Sequence, residues 1–526
     1  MTNSIAEIEN SECLLVVGSN TTEAHPVLAL RMKKAMRNGA KLLVVDPRKT
    51  WLAERADVHL QIKPGTDIPL MNAIANVIIE EDLYDHQYVE TLTEGFEEMR
   101  AAASEWPVER AAEVCQVNAD DIRSAARIYA KYKRAGIYYT LGITEHVCGV
   151  DNVRSLSNLA LITGHLGYES TGVNPLRGQN NVQGCNDMGN NPVYLPGYQE
   201  VEDDAMLEKF SKAWRCNLSQ TPGLRLDQML EGMHDDSVKA FFVMGEDPMV
   251  SEPNLEHVRL GFDKIDFLVS QDIFLNETAR LYADVVFPAT CFAEKEGTFT
   301  NSERRVQRVR KSVEAPGEAR TDLQIIFDLA NEMGHDWGEA QPSKVWDEFA
   351  RLSPDFSGIN YQRIEDEGIQ WPCPDTSHPG TKFLHEGAPK RGKGKLYPLD
   401  HIKPWEEADD DYPFTLSTGR TLYHYNSATQ TRRNVGHAEK QSECFFEISA
   451  EDARQSDIAD NEEITVQSRR GSITSRAKIS EKVTNGLIWM PIHYAEANAN
   501  VLTGDGKDLD VGTPEYKLCA VRLHKR

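Results

Sequence analysis

Residues 174–184 read Asn-Pro-Leu-Arg-Gly-Gln-Asn-Asn-Val-Gln-Gly, which places six side-chain amides or guanidinium groups in one short stretch with interspersed glycines. Such a stretch cannot build a core. Amides and guanidinium offer directed hydrogen bonds, and glycine lets the backbone approach whatever is bound. A polar ligand is implied. Arg177 presents a planar fork that matches two carboxylate oxygens, with a structural salt bridge as the competing reading. Residues 296–307 (EGTFTNSERRVQ), with Asn301 and Arg305, again set glycine, hydroxyl, amide and arginine side by side. A third group is Thr418-Gly419-Arg420 with His424 and the run 429–433, followed by His493, Asn498 and Asn500. No Ser-His-Asp order and no paired-carboxylate motif stands out, so these read as ligand contacts. A solvated polar loop is the alternative for each taken singly.

The elements that position these residues show a repeat. Residues 14–18 (LLVVG) and 41–46 (KLLVVD) are continuous apolar runs between helical stretches, as expected of buried parallel strands in an α/β unit. The turn Gly18-Ser19-Asn20 follows a strand and opens a helix, where free N–H groups and the helix dipole suit a phosphate. It lacks the G-x-G-x-x-G fingerprint, so an ordinary structural turn competes. The pattern returns at 240–248 (AFFVMGEDP) and 269–272 (VSQD), with Gly18 to Asp46 spanning 28 residues and Gly245 to Asp272 spanning 27. Ala-Asp-Val opens a third strand after each, at Asp57 and at Asp284. Asp46 and Asp272, at the ends of second strands, are placed for a ribose or purine edge, with helix capping as the alternative. The expected fold class is α/β: two pseudo-symmetric doubly wound nucleotide-binding domains (1–179 and 180–345), a connecting segment and linker (346–405), and a C-terminal β-barrel-like domain (406–526).

A chain of 526 residues exceeds one hydrophobic core, and 40% hydrophobic with 26% charged residues is ordinary for a globular protein. No apolar run approaches the roughly 18 residues of a membrane span. A net charge of -25 opposes nucleic acid or anionic membrane as a partner by bulk attraction. The nine cysteines are dispersed, with no C-x-x-C spacing, so no iron–sulfur or zinc site is readable among them and core packing is their expected role. No secretion signal is visible at the start.

The strings LRGQNNVQG (176–184), CNDMG (185–189), PGYQ (196–199), MGEDP (244–248), EGTFTNSERRVQ (296–307), DPRK (46–49) and TPEYKLCAVR (513–522) together resemble the formate dehydrogenase branch of the large bis(molybdopterin guanine dinucleotide) oxidoreductases. The resemblance spans the chain. It implies one guanine dinucleotide in each half of the repeat, a covering C-terminal barrel, molybdenum or tungsten at the centre, and formate oxidised to carbon dioxide with two electrons passed on. Residue by residue it implies that Arg177 orients formate. Gly18, Asn20, Asp46 and Arg48 would serve one dinucleotide, and Gly245, Asp247, Gln271, Asp272, Asn301 and Arg305 the other. Gln179 and Asn180 would contribute from the loop, and Thr418, Arg420, Tyr516 and Lys517 from the barrel.

The sequence departs from the family pattern ahead of Met1. Family members carry there a cysteine motif for a 4Fe-4S cluster, a lysine, and a cysteine or selenocysteine on the metal followed by histidine; none of these is present, and Cys185 does not match the metal ligand. This chain alone is therefore expected to lack turnover. An internal restart after a selenocysteine codon, a frameshift or a split gene would each give such a chain. The resemblance further implies an iron–sulfur electron-transfer subunit as partner, and a cytoplasmic location unless an export signal lies in the missing section. The alternatives are a related enzyme acting on another substrate such as nitrate, and a non-catalytic cofactor-binding or partner chain.

Overall fold

The structure is a computed structural model that describes residues 1–525. The chain divides into two compact units: Met1–Leu176, Val250–His257 and the chain from Phe383 onward form the first, and Arg177–Met249 with Val258–Lys382 the second.

In the first unit, β1 (Cys13–Val17), β2 (Lys41–Val45), β3 (Val58–Leu60), β4 (Ala135–Tyr139) and β5 (Val173–Pro175) form a parallel sheet in the order β3-β2-β1-β4-β5. Parallel strands need a layer on each face, and the alternation along β1 shows both layers. Leu14 and Val16 pack with Leu28, Met32 and Ala35 of helix α1 (Pro26–Arg37), whose proline stands at the first turn, where no N–H is required. Cys13, Leu15 and Val17 pack on the opposite face with α2 (Asp67–Glu80), α3 (Ala119–Lys131) and α4 (Gly149–Ile162).

The second unit repeats the start of this plan. Strands β6 (Ala240–Met244), β7 (Phe267–Asp272) and β8 (Val285–Pro288) are parallel in the order β8-β7-β6, and Val243 and Leu268 pack against Leu230 and Met233 of α5 (Leu226–His234). The repeat extends to single hydrogen bonds. Gly18 N–H donates to the Val45 carbonyl at 2.8 Å, and Gly245 N–H to the Gln271 carbonyl at 2.8 Å. Asp57 accepts from Leu42 N–H at 2.9 Å, and Asp284 from Leu268 N–H at 2.8 Å. An antiparallel sheet of β9 (Gly297–Thr300), β10 (Arg305–Val309) and β11 (Ile369–Gln370) follows. Residues 346–405, which the sequence reads as connector and linker, divide in the structure. Trp346, Phe349, Phe356, Ile359 and Ile364 build a core with Val306 in the second unit, and from Phe383 on the chain belongs to the first. Aromatic and isoleucine side chains at that density bury too much surface for a linker.

The first unit ends in a closed six-stranded barrel of β12 (Phe414–Gly419), β13 (Phe445–Ile448), β14 (Glu463–Gln467), β15 (Ser472–Ile479), β16 (Leu487–Pro491) and β17 (Cys519–Lys525), in the order β12-β16-β13-β15-β14-β17 with β12 and β17 paired. Five of these strands are legible as expected. The unread one is β13 (FFEI), whose apolar run is interrupted by Glu447. That carboxylate is fully buried and receives the Nε and Nη2 of Arg48 at 2.6 and 2.7 Å, while the guanidinium stacks 4.0 Å from the Trp489 ring. A planar fork meeting a carboxylate with its face on an indole satisfies both charges. It couples the first sheet to the barrel. No helix of the described residues is long and apolar enough to cross a membrane.

Glu447→Ala leaves a buried guanidinium without its carboxylate and is expected to cost about 3–5 kcal/mol of stability, read by denaturant unfolding. Replacing both residues by apolar ones of similar volume should recover most of that loss. A cost below about 1 kcal/mol for Glu447→Ala would show that the pair does not couple the two parts.

Candidate cofactor site

In the first unit the strand ends gather candidates that are hundreds of residues apart in sequence. β1 ends at Gly18, whose φ is +54°. A Cβ there would lie 2.7 Å from the Gly142 carbonyl carbon, so Gly18 is required for close backbone approach to Gly142 as well as for the turn. The Gly18 carbonyl accepts from Thr140 Oγ1 at 2.6 Å. Asn20 stands at the cap of the short helix Thr21–Ala24, and its Oδ1 accepts from Thr22 Oγ1 at 3.2 Å. Asp46 lies at the end of β2; burial pushes its carboxyl up to about 6, opposed by the Arg48 N–H, the Arg48 charge and the nearby charge of Lys517. Lys517 donates to the Thr418 carbonyl at 3.2 Å and pairs with Glu145 at 3.0 Å, and Thr418 Oγ1 donates to the Tyr516 carbonyl at 2.7 Å. Gly18, Asp46, Thr418, Tyr516 and Lys517 thus form one neighbourhood. Arg420 continues β12 into a loop fixed by His493, whose Nε2 accepts from Thr421 N–H at 2.9 Å and whose burial lowers its pKa to about 4. A neutral imidazole is what that bond requires.

In the second unit, Gly245 follows β6 with φ +66°, and a Cβ there would meet nothing within 4 Å, so the turn opens on free space. Beside it Gln271 donates from Nε2 to Asp322 Oδ1 at 2.9 Å, and Asp322 in turn pairs with Lys295 ahead of the β9–β10 hairpin. Asp272 accepts from Phe274 N–H and Asn276 Nδ2, and burial raises its pKa. The loop that begins at Arg177 is pinned to the hairpin at two points: Arg177 N–H donates to Ser302 Oγ at 3.3 Å, and Asn181 Oδ1 accepts from Thr300 N–H at 2.9 Å. Gln179 is half-buried and Asn180 exposed in this loop.

Four expected ligands have their polar groups taken up by the protein. Arg48 is engaged by Glu447. Asp247 accepts from Thr278 N–H and Oγ1 and from Glu277 N–H, which caps helix α6 (Glu277–Tyr282). Asn301 Oδ1 accepts from Glu303 and Arg305 N–H, closing the hairpin turn. Arg305 uses all three guanidinium nitrogens on Glu303, Gly368 and Gln370. Each of these four is held in place by the protein's own groups.

The sequence reading also missed a buried carboxylate. Asp187, at the end of the helix Val182–Asp187, accepts from Gln183 Nε2 at 2.9 Å, Tyr198 Oη at 2.8 Å and Trp371 Nε1 at 3.0 Å. Burial still pushes its pKa up to about 6. The charge of Arg177 is felt at Tyr198, where it opposes the upward push of burial on the phenol. The signal was present in the short strings CNDMG and PGYQ, but nothing local pairs Asp187 with Tyr198.

Four buried polar atoms at these positions have no hydrogen-bond partner among the described residues: Arg420 Nε and Thr421 Oγ1 in the first unit, Ser270 Oγ and Gln271 Oε1 in the second. Each costs about 1–3 kcal/mol if nothing meets it. Their chemistry calls for a ligand rich in both donors and acceptors.

A sequence-family model described as molybdopterin oxidoreductase matches residues 1–332, and one described as molybdopterin dinucleotide binding domain matches 414–520. The chain belongs to the molybdopterin oxidoreductase family and is an oxidoreductase of that class. It is similar to the F420-dependent formate dehydrogenase subunit alpha of Methanocaldococcus jannaschii, 45% identical over 100% of this chain and 78% of the relative. It is likewise similar to formate dehydrogenase H of Escherichia coli (40%, 99% of this chain and 74% of the relative) and to the assimilatory nitrate reductase catalytic subunit of Bacillus subtilis (35%, 99% and 76%). Among solved structures, acetylene hydratase from Pelobacter acetylenicus shares the fold, with a TM-score of 0.77 at 21% identity over 99% of this chain and 81% of that one. The residues fit a pterin dinucleotide: the unpartnered amide, hydroxyl and guanidinium atoms suit its polar edges and phosphates, and Asp46 and Asp272 suit a purine edge.

Asp187 supplies a pH test. Its folded-state pKa of about 6 lies above the usual 3.8, so between these values the folded chain holds a proton that the unfolded chain has lost. Stability should therefore fall as pH rises from about 4 to about 6 and level off above. Asp46, raised likewise to about 6, adds the same slope. Denaturant unfolding across this range should show the slope roughly halved in Asp187→Asn. An unchanged slope would mean that the carboxyl is not held as described.

Proposed function

We propose that the chain is the larger part of the catalytic subunit of a formate dehydrogenase, oxidising formate to carbon dioxide and releasing two electrons and one proton. The reading is supported most by Arg177, a guanidinium set in an amide- and glycine-rich loop that is tied to the β9–β10 hairpin at two points. When bound, a molybdenum or tungsten bis(pterin guanine dinucleotide) group supplies the two-electron acceptor.

The chain's own residues do the rest. The Arg177 fork takes both oxygens of formate, which leaves the C–H bond as the free end of the substrate. Ser302 Oγ holds the Arg177 N–H and Asn181 Oδ1 holds the Thr300 N–H, so the loop that carries the guanidinium is in place before substrate arrives. Gly18, Asp46, Thr418, Arg420 and Lys517 hold one dinucleotide, and Gly245, Gln271 and Asp272 the other. In this reading a 4Fe-4S cluster lies in the segment that relatives carry beyond the match, an iron–sulfur subunit receives the electrons, and the enzyme is cytoplasmic. The nitrate reductase relative is the observation that favours a second substrate.

The chain, produced anaerobically in a molybdopterin-forming host together with that segment, is expected to reduce benzyl viologen with formate. Arg177→Lys keeps the charge but loses the fork, and should lower kcat/KM for formate by about 100-fold or more. Nitrate-dependent oxidation of reduced viologen in place of formate oxidation would transfer the reading to nitrate. Bound guanine nucleotide with neither activity would favour the non-catalytic one.

A further inference from the structure

A buried histidine that the proposed function does not use lies between the two walls of the first-unit site. His146 is 3% exposed and follows the short helix Leu141–Thr144, just ahead of α4. Its Nε2 faces the Gly142 carbonyl at 3.0 Å, and its Nδ1 stands 3.6 Å from Glu515 Oε1. Glu515 is 2% exposed and accepts through both oxygens, from Val147 N–H at 3.3 Å on Oε1 and from Trp405 N–H at 3.0 Å on Oε2. Both ring nitrogens of His146 therefore face acceptors. A neutral imidazole carries one N–H and would set the lone pair of its other nitrogen against an oxygen, whereas an imidazolium donates on both sides. His493 makes the contrast: its Nε2 accepts from Thr421 N–H, which a neutral ring allows. A second buried carboxylate, Asp67 at the start of α2, adds its charge to His146. Burial by itself would lower the His146 pKa, but the Glu515 contact, the charges of Asp67 and Glu515 and the Gly142 carbonyl together raise it above the ordinary 6.5. The other ionisable groups on these segments are matched or neutral. Lys517 pairs with Glu145, Asp151 pairs with Arg154, Asp508 accepts from Val150 N–H, and burial pushes the Cys148 thiol up to about 12.

The two bonds of this ring reach the two sides of the site. Gly142 N–H donates to the Gly18 carbonyl at 3.3 Å, and a Cβ on Gly142 would lie 2.6 Å from that oxygen, so Gly142 backs the turn that ends β1. Glu515 stands two residues ahead of Lys517, whose ammonium meets Glu145, the neighbour of His146. We propose that His146 is a positioning residue of this site: as an imidazolium it ties the Gly18–Gly142 turn to the Glu515–Lys517 segment, and loss of its proton loosens that tie and releases the guanine dinucleotide held there. The inference rests on the dinucleotide reading of the first unit, and not on the identity of the substrate. Because the folded-state pKa is raised, the tie is complete below 6.5 and lost as pH rises through the higher folded value. That step is separate from the one set by Asp46 and Asp187, which ends at about 6.

The test follows the guanine nucleotide that stays with the full chain, purified from a molybdopterin-forming host and equilibrated at a series of pH values from 6.5 upward. Retention in the wild type should fall about threefold or more as the imidazolium loses its proton. His146→Gln keeps a donor for the Gly142 carbonyl but carries no charge, so it should retain little nucleotide already at the lowest pH and show a flat profile. Glu515→Gln keeps the shape of the carboxylate and removes its charge; it should move the wild-type step down by about one pH unit or more. The ring is read directly by carbon NMR of histidine-labelled chain, in which one imidazole should titrate above 6.5 and shift downward in Glu515→Gln. Retention that does not depend on pH in the wild type, a His146→Gln profile with the wild-type slope, or no imidazole titrating above 6.5 would overturn the proposal and leave the dinucleotide reading standing. A wild-type chain without guanine nucleotide at every pH would overturn both.

Discussion

A buried ion pair joins the sheet of the first unit to its barrel. Arg48 leaves the first sheet two residues after Asp46, and Glu447 lies in the middle of a barrel strand; their union, with the Lys517–Glu145 pair and the Lys49 N–H to Lys482 carbonyl bond, brings the barrel's Thr418, Tyr516 and Lys517 beside Gly18 and Asp46. A charge pair of this kind costs much to desolvate and adds little net stability over a packed apolar pair, but its geometry is strict. The two-point fork and the stacked indole fix an angle that greasy contacts would leave loose. The consequence is a preset arrangement of donors and carboxylates around the strand ends.

The same economy of parts appears in the second unit. Arg305 and Asn301 shape the hairpin, the hairpin holds the Arg177 loop at Ser302 and Thr300, and Asp187 holds Tyr198. Groups that look like ligands in the sequence also hold neighbouring backbone in place. Among the buried polar atoms of the described residues without a protein hydrogen-bond partner are Gln271 Oε1 and Ser270 Oγ here, and Arg420 Nε and Thr421 Oγ1 in the first unit. In the proposed reading, Gln271 Oε1 and Arg420 Nε are groups that a bound dinucleotide would meet.

Much of this was legible in sequence because strand–turn–helix repeats leave local marks: the apolar runs, Gly18 and Gly245, and the Ala-Asp-Val starts at Asp57 and Asp284 all fall where expected. Five barrel strands were visible through their β-branched residues and turns. The sixth was hidden because Glu447 interrupts it, and the reason for Glu447 lies 399 residues away at Arg48. The intramolecular bonds of Asp247, Asn301 and Arg305 were hidden for a related cause: an amide, carboxylate or guanidinium has the same appearance in sequence whether it meets a ligand or a backbone N–H. The Asp187–Tyr198–Trp371 network joins residues whose partnership no local pattern encodes.

The central claim is that the strand ends of the first unit, with the barrel, hold a guanine dinucleotide. It is tested most directly by quantifying guanine nucleotide released on acid hydrolysis of the folded chain purified from a molybdopterin-forming host. About one equivalent or more per chain is expected, falling several-fold in Asp46→Ala while the unfolding transition remains cooperative. A folded chain that releases no guanine nucleotide, or Asp46→Ala that retains the full amount, would contradict it.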